Sequence, residues 1–229
     1  MDKIKTIIKK FPHLERIFRK IFYFMKKLFF QDSKSWWEKF YSEGGNSGAG
    51  SYGVLAQFKA QIINDFVKKN KIKRVIEFGC GDGNQLSMFK IPNYTGLDVS
   101  KTIIQKNIKY FRKDKTKNFF LYDPETFFDN TSFLNADLTI SLDVIYHIIE
   151  DDVFNKYMKD LFNSSKKFVI IYSSNTNKNS LNPPHVKHRE FSKWINSNLN
   201  NWELIEKIKN KYSHESFSDF FIYKKRNLK

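Results

Sequence analysis

The sequence predicts an α/β domain with a mostly parallel sheet, an antiparallel edge and helices on both faces. Three observations carry this. Apolar runs of strand length alternate with segments of helical periodicity from Val54 to Ser174. The first of these runs, RVIEF, enters a glycine-rich turn. Near the C-terminus the alternation stops, and two strand-like segments follow each other without a full helix between them.

Taken in order, the chain opens with KTIIKKFPHLERIFRKIFYFMKKLFF, where Ile17, Phe18, Ile21, Phe22, Met25, Leu28 and Phe29 recur at helical spacing among Lys and Arg. Pro12 starts or breaks this helix. Residues 1–31 thus read as a basic amphipathic extension. It packs on its own domain or on a second subunit, with a helix lying on an anionic membrane surface as the rival. VLAQFKAQIINDFVKKN is the next helix, followed by the strand RVIEF, a short helix in NQLSMFK and the strand YTGLDVS. The helix KTIIQKNIKYFRK, the strands NFFLYD and ADLTISLD, the helix VFNKYMKDLFNSS and the strand KKFVIIYSS complete the alternation. NWELIEKIKNKY and SFSDFFIYKK form the antiparallel edge pair. One domain therefore spans 32–229.

Composition narrows the function classes. The 229 residues are 41% hydrophobic and 17% aromatic, enough to build a sizeable core. The single cysteine, Cys80, excludes an internal disulfide framework and fits a cytoplasmic protein. No secretory signal or membrane span is expected, because charge interrupts every apolar run of the N-terminal segment within five residues. The net charge of +16 is uneven: residues 1–31 carry +7 and Tyr223–Lys229 carry +4, leaving +5 for the 191 residues between. A nucleic-acid partner would call for a basic face across the domain itself, so this distribution argues against one.

The chemistry concentrates in VIEFGCGDGNQL. Glycines at 79, 81 and 83 let the backbone turn sharply and approach a ligand where a Cβ would collide. Asp98, nineteen residues beyond Gly79 and at the end of the next strand, is placed to accept hydrogen bonds from the ribose hydroxyls of an adenosine cofactor. The spacing is G-x-G-x-G, and Asn84 stands where a dinucleotide site has its third glycine. Glu77 just before the turn would repel a pyrophosphate and welcome a sulfonium or ammonium. These electrostatics favour S-adenosylmethionine (SAM) over NAD.

EFGCGDG, LDVS and SLDVIYHI together resemble the class I SAM-dependent methyltransferases over about residues 35–225, which implies a Rossmann-like sheet. GGNSGAGSYG, SLDVIYHIIED, IIYSSN and HVKHREF are similar to small methyltransferases of bacterial surface-polysaccharide (capsule) biosynthesis, which methylate sugars or phosphoramidate groups. The resemblance implies that Gly79, Cys80, Gly81, Asp82 and Gly83 hold the methionine part of SAM, with Asp98 and Val99 at the ribose. It places Asp123 at the adenine, and Leu142 and Asp143 beside the transferred methyl. S-adenosylhomocysteine (SAH) would be the product. Asp123, followed by Pro124, reads equally as a turn residue.

Methyl transfer is an in-line displacement governed by positioning and exclusion of water. An alcohol acceptor also needs a base. His147 is the first choice, since an imidazole near pKa 6.5 suits neutral pH, with Asp143 and Tyr146 as alternatives. His185, His188 and Arg189 in HVKHRE would bind an anionic acceptor, Arg189 as a bidentate fork; ordinary loop structure is the rival, and no metal is expected. The stretch GGNSGAGSYG, residues 44–53, holds five of the nine glycines but no G-K-[ST], so it is no phosphate loop. It is predicted to be a lid folding across the cofactor, with Tyr52 and Lys59 facing the site. The expected partner is a small acceptor, anionic or linked to a nucleotide or sugar, in a protein at the inner face of the membrane or free in the cytoplasm, with oligomers left open. RNA methylation and a catalytically silent anchoring module are the competing functions.

Overall fold

The computed structural model describes residues 30–179 and 182–226. Most of the basic N-terminal extension, residues 1–29, and the tail 227–229 lie outside the described residues. Among the described residues no helix is long and apolar enough to cross a membrane.

Seven strands form one sheet: β1 Arg74–Phe78, β2 Asn93–Asp98, β3 Lys117–Leu121, β4 Ala136–Leu142, β5 Ser165–Ser173, β6 Trp202–Ile208 and β7 Asp219–Lys225. Their order is β3-β2-β1-β4-β5-β7-β6. The first five run parallel, and β7 pairs antiparallel with both β5 and β6. The short connection after β6 lets the chain fold straight back, so β7 slots between β5 and β6 and leaves β6 at the edge. Apolar runs such as FVIIY in β5 are what a strand covered on both faces requires.

The helices are α1 Ser33–Ser42, α2 Gly53–Lys69, α3 Lys101–Tyr110, α4 Asp151–Asn163 and α5 Phe191–Asn198. Side chains alternate between two cores, as the period of a strand dictates. On one face Phe58, Ile63 and Phe66 of α2 pack with Val75, Ile140, Ile170 and Phe220. On the other, Phe154, Met158 and Leu161 of α4 and Phe191 and Ile195 of α5 pack with Ile76, Val169, Ile171 and Phe221. Three points differ from the sequence reading. The helix expected in NQLSMFK is a single 3-10 turn, Leu86–Met88, because only nine residues separate Gly83 from β2 and Pro92 ends them. Helices α1 and α5 were not anticipated. Asp32 caps α1 by accepting from Ser35 N at 2.7 Å.

Candidate active site

The parallel strands deliver their C-terminal ends to one edge, and there a cavity of about 500 Å³ opens. Glu77, next to last in β1 and buried at 3% exposure, leads through Phe78 into a turn at Gly79 and Gly81 with φ of +80° and +55°. These angles are left-handed, and a Cβ at Gly79 or Gly81 would also collide with Val144 or with Ser47 Oγ. Asn107 Nδ2 donates to Gly81 O at 2.7 Å, and Gly81 N donates to Asp98 Oδ2 at 2.9 Å. Asp98 also accepts from Ser100 N at 3.0 Å. The acid at the end of β2 therefore braces the glycine turn while lining the cavity. Burial pushes the Asp98 carboxyl up to about 6, against the pull of its backbone donors. Burial likewise pushes Glu77 up to about 7, although Tyr94 OH donates to it at 2.5 Å and Lys59 lies near.

At the end of β4 the chain enters a left-handed residue, Asp143, with φ of +60°. Its carboxylate gathers three donors from three parts of the chain. Lys59 Nζ of α2 stands 2.7 Å from Oδ2, while Tyr146 OH and Ser218 Oγ donate to Oδ1 at 3.0 and 3.1 Å. Lys59 is fully buried, and its ammonium also lies over the Tyr172 ring, 5.3 Å from the centroid. Gly50 presses on the same acid, since a Cβ there would lie 2.6 Å from Asp143 Oδ2.

Beyond Asp143 the 3-10 turn Ile145–His147 presents His147 to the cavity. His147 Nδ1 is 3.0 Å from His185 O. A carbonyl only accepts, so Nδ1 carries the proton and Nε2 keeps its lone pair. Burial drives this imidazole down to about 4. The residue is therefore neutral at physiological pH, rather than titrating near 6.5 as its type alone would imply. Trp36, Trp37 and Phe40 of α1 wall the same side of the cavity, Trp37 edge-on to His147 at 4.9 Å.

No protein-family model matches the sequence, and no curated protein matches it. Solved structures do match. The N-methyltransferase NodS from Bradyrhizobium japonicum, in complex with SAH, superposes with a TM-score of 0.64 at 12% identity, over 87% of this chain and 100% of that one. Magnesium protoporphyrin IX methyltransferase from Synechocystis, with bound SAM, gives 0.61 at 14% identity, over 86% and 99%. The methyltransferase domain of bacterial CtHen1-C gives 0.59 at 18% identity, over 75% and 98%. This is the class I SAM-dependent methyltransferase fold. The neighbours include an N-methyltransferase and a carbon methyltransferase, so the fold by itself does not choose the atom methylated.

Within this methyltransferase fold the anticipated residues separate into two groups. Glu77, Gly79, Gly81, Asp98, Val99, Asp123, Leu142, Asp143, Tyr146, His147 and His185 all border the cavity. Lys59 borders it too, but its ammonium is spent on Asp143 rather than turned to an acceptor. Asp123 holds Lys34 at 2.6 Å. Cys80 turns its thiol away into the core, 3.7 Å from Asn107 Nδ2. Asp82 and Gly83 stand behind the turn, where Asp82 accepts from Ser47 N at 2.8 Å and from Tyr52 OH at 2.7 Å. Tyr52 is thus occupied with Asp82 rather than facing the cavity. His188 pairs with Ser174 Oγ at 2.6 Å. Arg189, expected to grip an anion, is spent on Asp151, at 2.8 Å, and on the carbonyls of Ile148 and Ile149.

The glycine stretch lies across the turn as a docked strap. Asp82 N donates to Ser47 Oγ at 2.7 Å, and Asn84 Nδ2 to Ser51 O at 2.6 Å. Residues that sequence reasoning missed include Trp36, Trp37, Phe40, Gln85 and Ser218. The run SWWEKFY was visible as an aromatic cluster, but no motif tied it to a ligand.

Proposed function

We propose that this protein is an enzyme that transfers the methyl group of SAM to an oxygen of a small acceptor. One observation carries the reading: the glycine turn, Glu77 and Asp98 share a single cavity with the free Nε2 of His147. The residues present fit SAM. Gly79 and Gly81 bring a left-handed backbone to the cavity wall, a conformation that other residues adopt only with strain. Gln85, on the cavity wall, has a buried Oε1 without a hydrogen-bond partner among the described residues, ready for an ammonium. Glu77 and Asp98 supply negative charge where a sulfonium and a ribose need it. When bound, SAM supplies an electrophilic methyl carbon; Asp143, Tyr146 and the strap shape the surrounding walls. SAH is the expected product. The resemblance of SLDVIYHIIED and HVKHREF to enzymes of surface-polysaccharide biosynthesis supports an acceptor from that chemistry.

Isothermal titration with SAM and SAH tests the reading, and absence of heat for both would end it. The pH dependence is specific. Without ligand, Glu77 and Asp98 hold protons up to about 7 and about 6. A cation beside them favours the carboxylates, so binding releases protons and affinity climbs as pH rises through that window. SAM should bind about tenfold more weakly at pH 6 than at pH 8, with a smaller change for SAH. The stability they contribute runs the other way. Free carboxylates ionise near 4, so between about 4 and 7 these two acids contribute less stability as pH rises, while His147, held near 4 against about 6.5 when free, contributes more between about 4 and 6.5. A flat affinity profile would show that neither acid faces the ligand.

His147→Ala separates the acceptor classes. For a hydroxyl acceptor, which sheds its proton as the new bond forms, kcat/KM should fall roughly 10²–10⁴-fold with SAH affinity retained. A fall below about threefold would point to an oxygen already ionised, such as that of a phosphoramidate. The measurement is SAH release with an acceptor found by screening.

A further inference from the structure

The wall of the cavity where α1 meets His147 and His185 carries information about the acceptor itself. Resting on the methyl-transfer reading of this same site, we infer that the acceptor is an electrically neutral hydroxyl compound with a flat apolar face, selected by α1.

Charge is the first argument. Among the described residues, eight carboxylates but only two ammonium groups line the cavity, in a chain of net charge +16. Both ammonium groups are spent, Lys59 on Asp143 at 2.7 Å and Lys34 on Asp123 at 2.6 Å. The cations of HVKHRE are also spent: Lys187 and Arg189 both hold Asp151, at 2.7 and 2.8 Å. A phosphate or phosphoramidate would enter a negative field and find no spare cation among the described residues of the cavity wall. The anion-binding role expected for HVKHRE is thereby withdrawn.

Shape is the second argument. Phe40, Trp36, His185 and His147 form a column of nearly parallel rings, with successive interplanar angles of 13°, 17° and 18° and centroid spacings of 5.0, 3.9 and 5.5 Å. Trp37 stands edge-on to Trp36, Phe40 and His147, at 84°, 87° and 82°. With their inner faces stacked on one another, these rings offer a ligand their edges and the outer faces of the column, an apolar surface suited to the C–H face of a sugar ring or to a phenol ring. α1 is held there by Glu150, which accepts from Ser33 N and Ser33 Oγ, each at 2.8 Å, and by Glu38, which accepts from Thr102 Oγ1 at 2.6 Å.

Proton accounting is the third. The acceptor oxygen bonds to the methyl carbon as the sulfur–carbon bond breaks and its electron pair passes to sulfur. The hydroxyl proton goes to Nε2 of His147. A hydroxyl attacks with a lone pair it already has, and its proton turns strongly acidic as the C–O bond forms, so even an imidazole held near 4 can take it. An amine arriving as ammonium must first lose a proton of pKa about 10, which that imidazole cannot remove.

Ligand-observed NMR titration of the full chain saturated with SAH provides the test. The probes are methyl glucoside and phenol, their anionic counterparts glucose 6-phosphate and phenyl phosphate, and benzylamine. At least one neutral probe should bind in the millimolar range, at least about tenfold tighter than its phosphate counterpart; which one binds tells a sugar from a phenol. Trp36→Ala should weaken that binding about tenfold and Trp36→Phe by less than about threefold, with SAH affinity intact in both. Equal or tighter binding of a phosphate, preference for benzylamine, indifference to Trp36→Ala, or no neutral probe bound by about 50 mM would each overturn the inference. Should SAH itself fail to bind, the methyl-transfer reading falls first.

Discussion

Replacing Lys59 with methionine is expected to cost the fold about 3–5 kcal/mol, the largest effect foreseen for any single substitution here. Its ammonium is fully buried and paired at 2.7 Å with a carboxylate that is itself nearly enclosed. Methionine fills similar volume, so packing changes little. What remains is the carboxyl group of Asp143, nearly enclosed and without its cation, with only the hydroxyls of Tyr146 and Ser218 donating to it. Urea unfolding should show the loss as a lower midpoint, and thermal scans as a Tm lower by roughly 6–20 °C. The pair, rather than the lysine alone, is the stabilising unit. Lys59→Met combined with Asp143→Asn should therefore recover at least half of the loss, since asparagine is neutral and tolerates the left-handed backbone at φ +60°. A single-variant loss below about 1 kcal/mol would mean that water reaches the pair.

Asp98→Asn is expected to weaken SAH binding about 10–100-fold while leaving the protein folded. The side chain has two tasks, and asparagine can perform only part of each. One amide position is a donor, so the N–H of Gly81 or of Ser100 must face a donor instead of an acceptor. Any ligand hydroxyl that used the carboxylate also loses a charge-assisted bond, worth about 1.5–3 kcal/mol. Circular dichroism should remain that of the folded parent chain, with the urea midpoint lowered by the roughly 1–3 kcal/mol that one unanswered buried N–H costs. Unaltered SAH affinity would show that this acid only braces the turn.

Local signals made most of the fold legible. The strands β1, β4 and β5 announce themselves as apolar runs because both faces of a central parallel strand are covered. The glycines of GCGDG and the acid nineteen residues later identify a cofactor edge, because a close backbone approach excludes any Cβ. Helix α1 escaped although Trp36, Trp37, Phe40 and Tyr41 share one helical face, because the segment is only ten residues long and runs straight into the glycine stretch. Its aromatic face is turned to a cavity rather than to a core. The HVKHREF run misled for another reason: it does contain a cation suited to an anion, but Asp151, thirty-eight residues away, already holds it.

By itself, then, the amino-acid order determined the alternating α/β layout, the glycine turn with its acid, and the neighbourhood of His147. Tertiary structure alone decided which charges are spent and which protons sit where. Lys59 and Asp143 lie 84 residues apart, and nothing local reveals that they meet. Periodicity and backbone strain are properties of neighbours along the chain, whereas pairing and desolvation depend on what folding brings within a few ångströms.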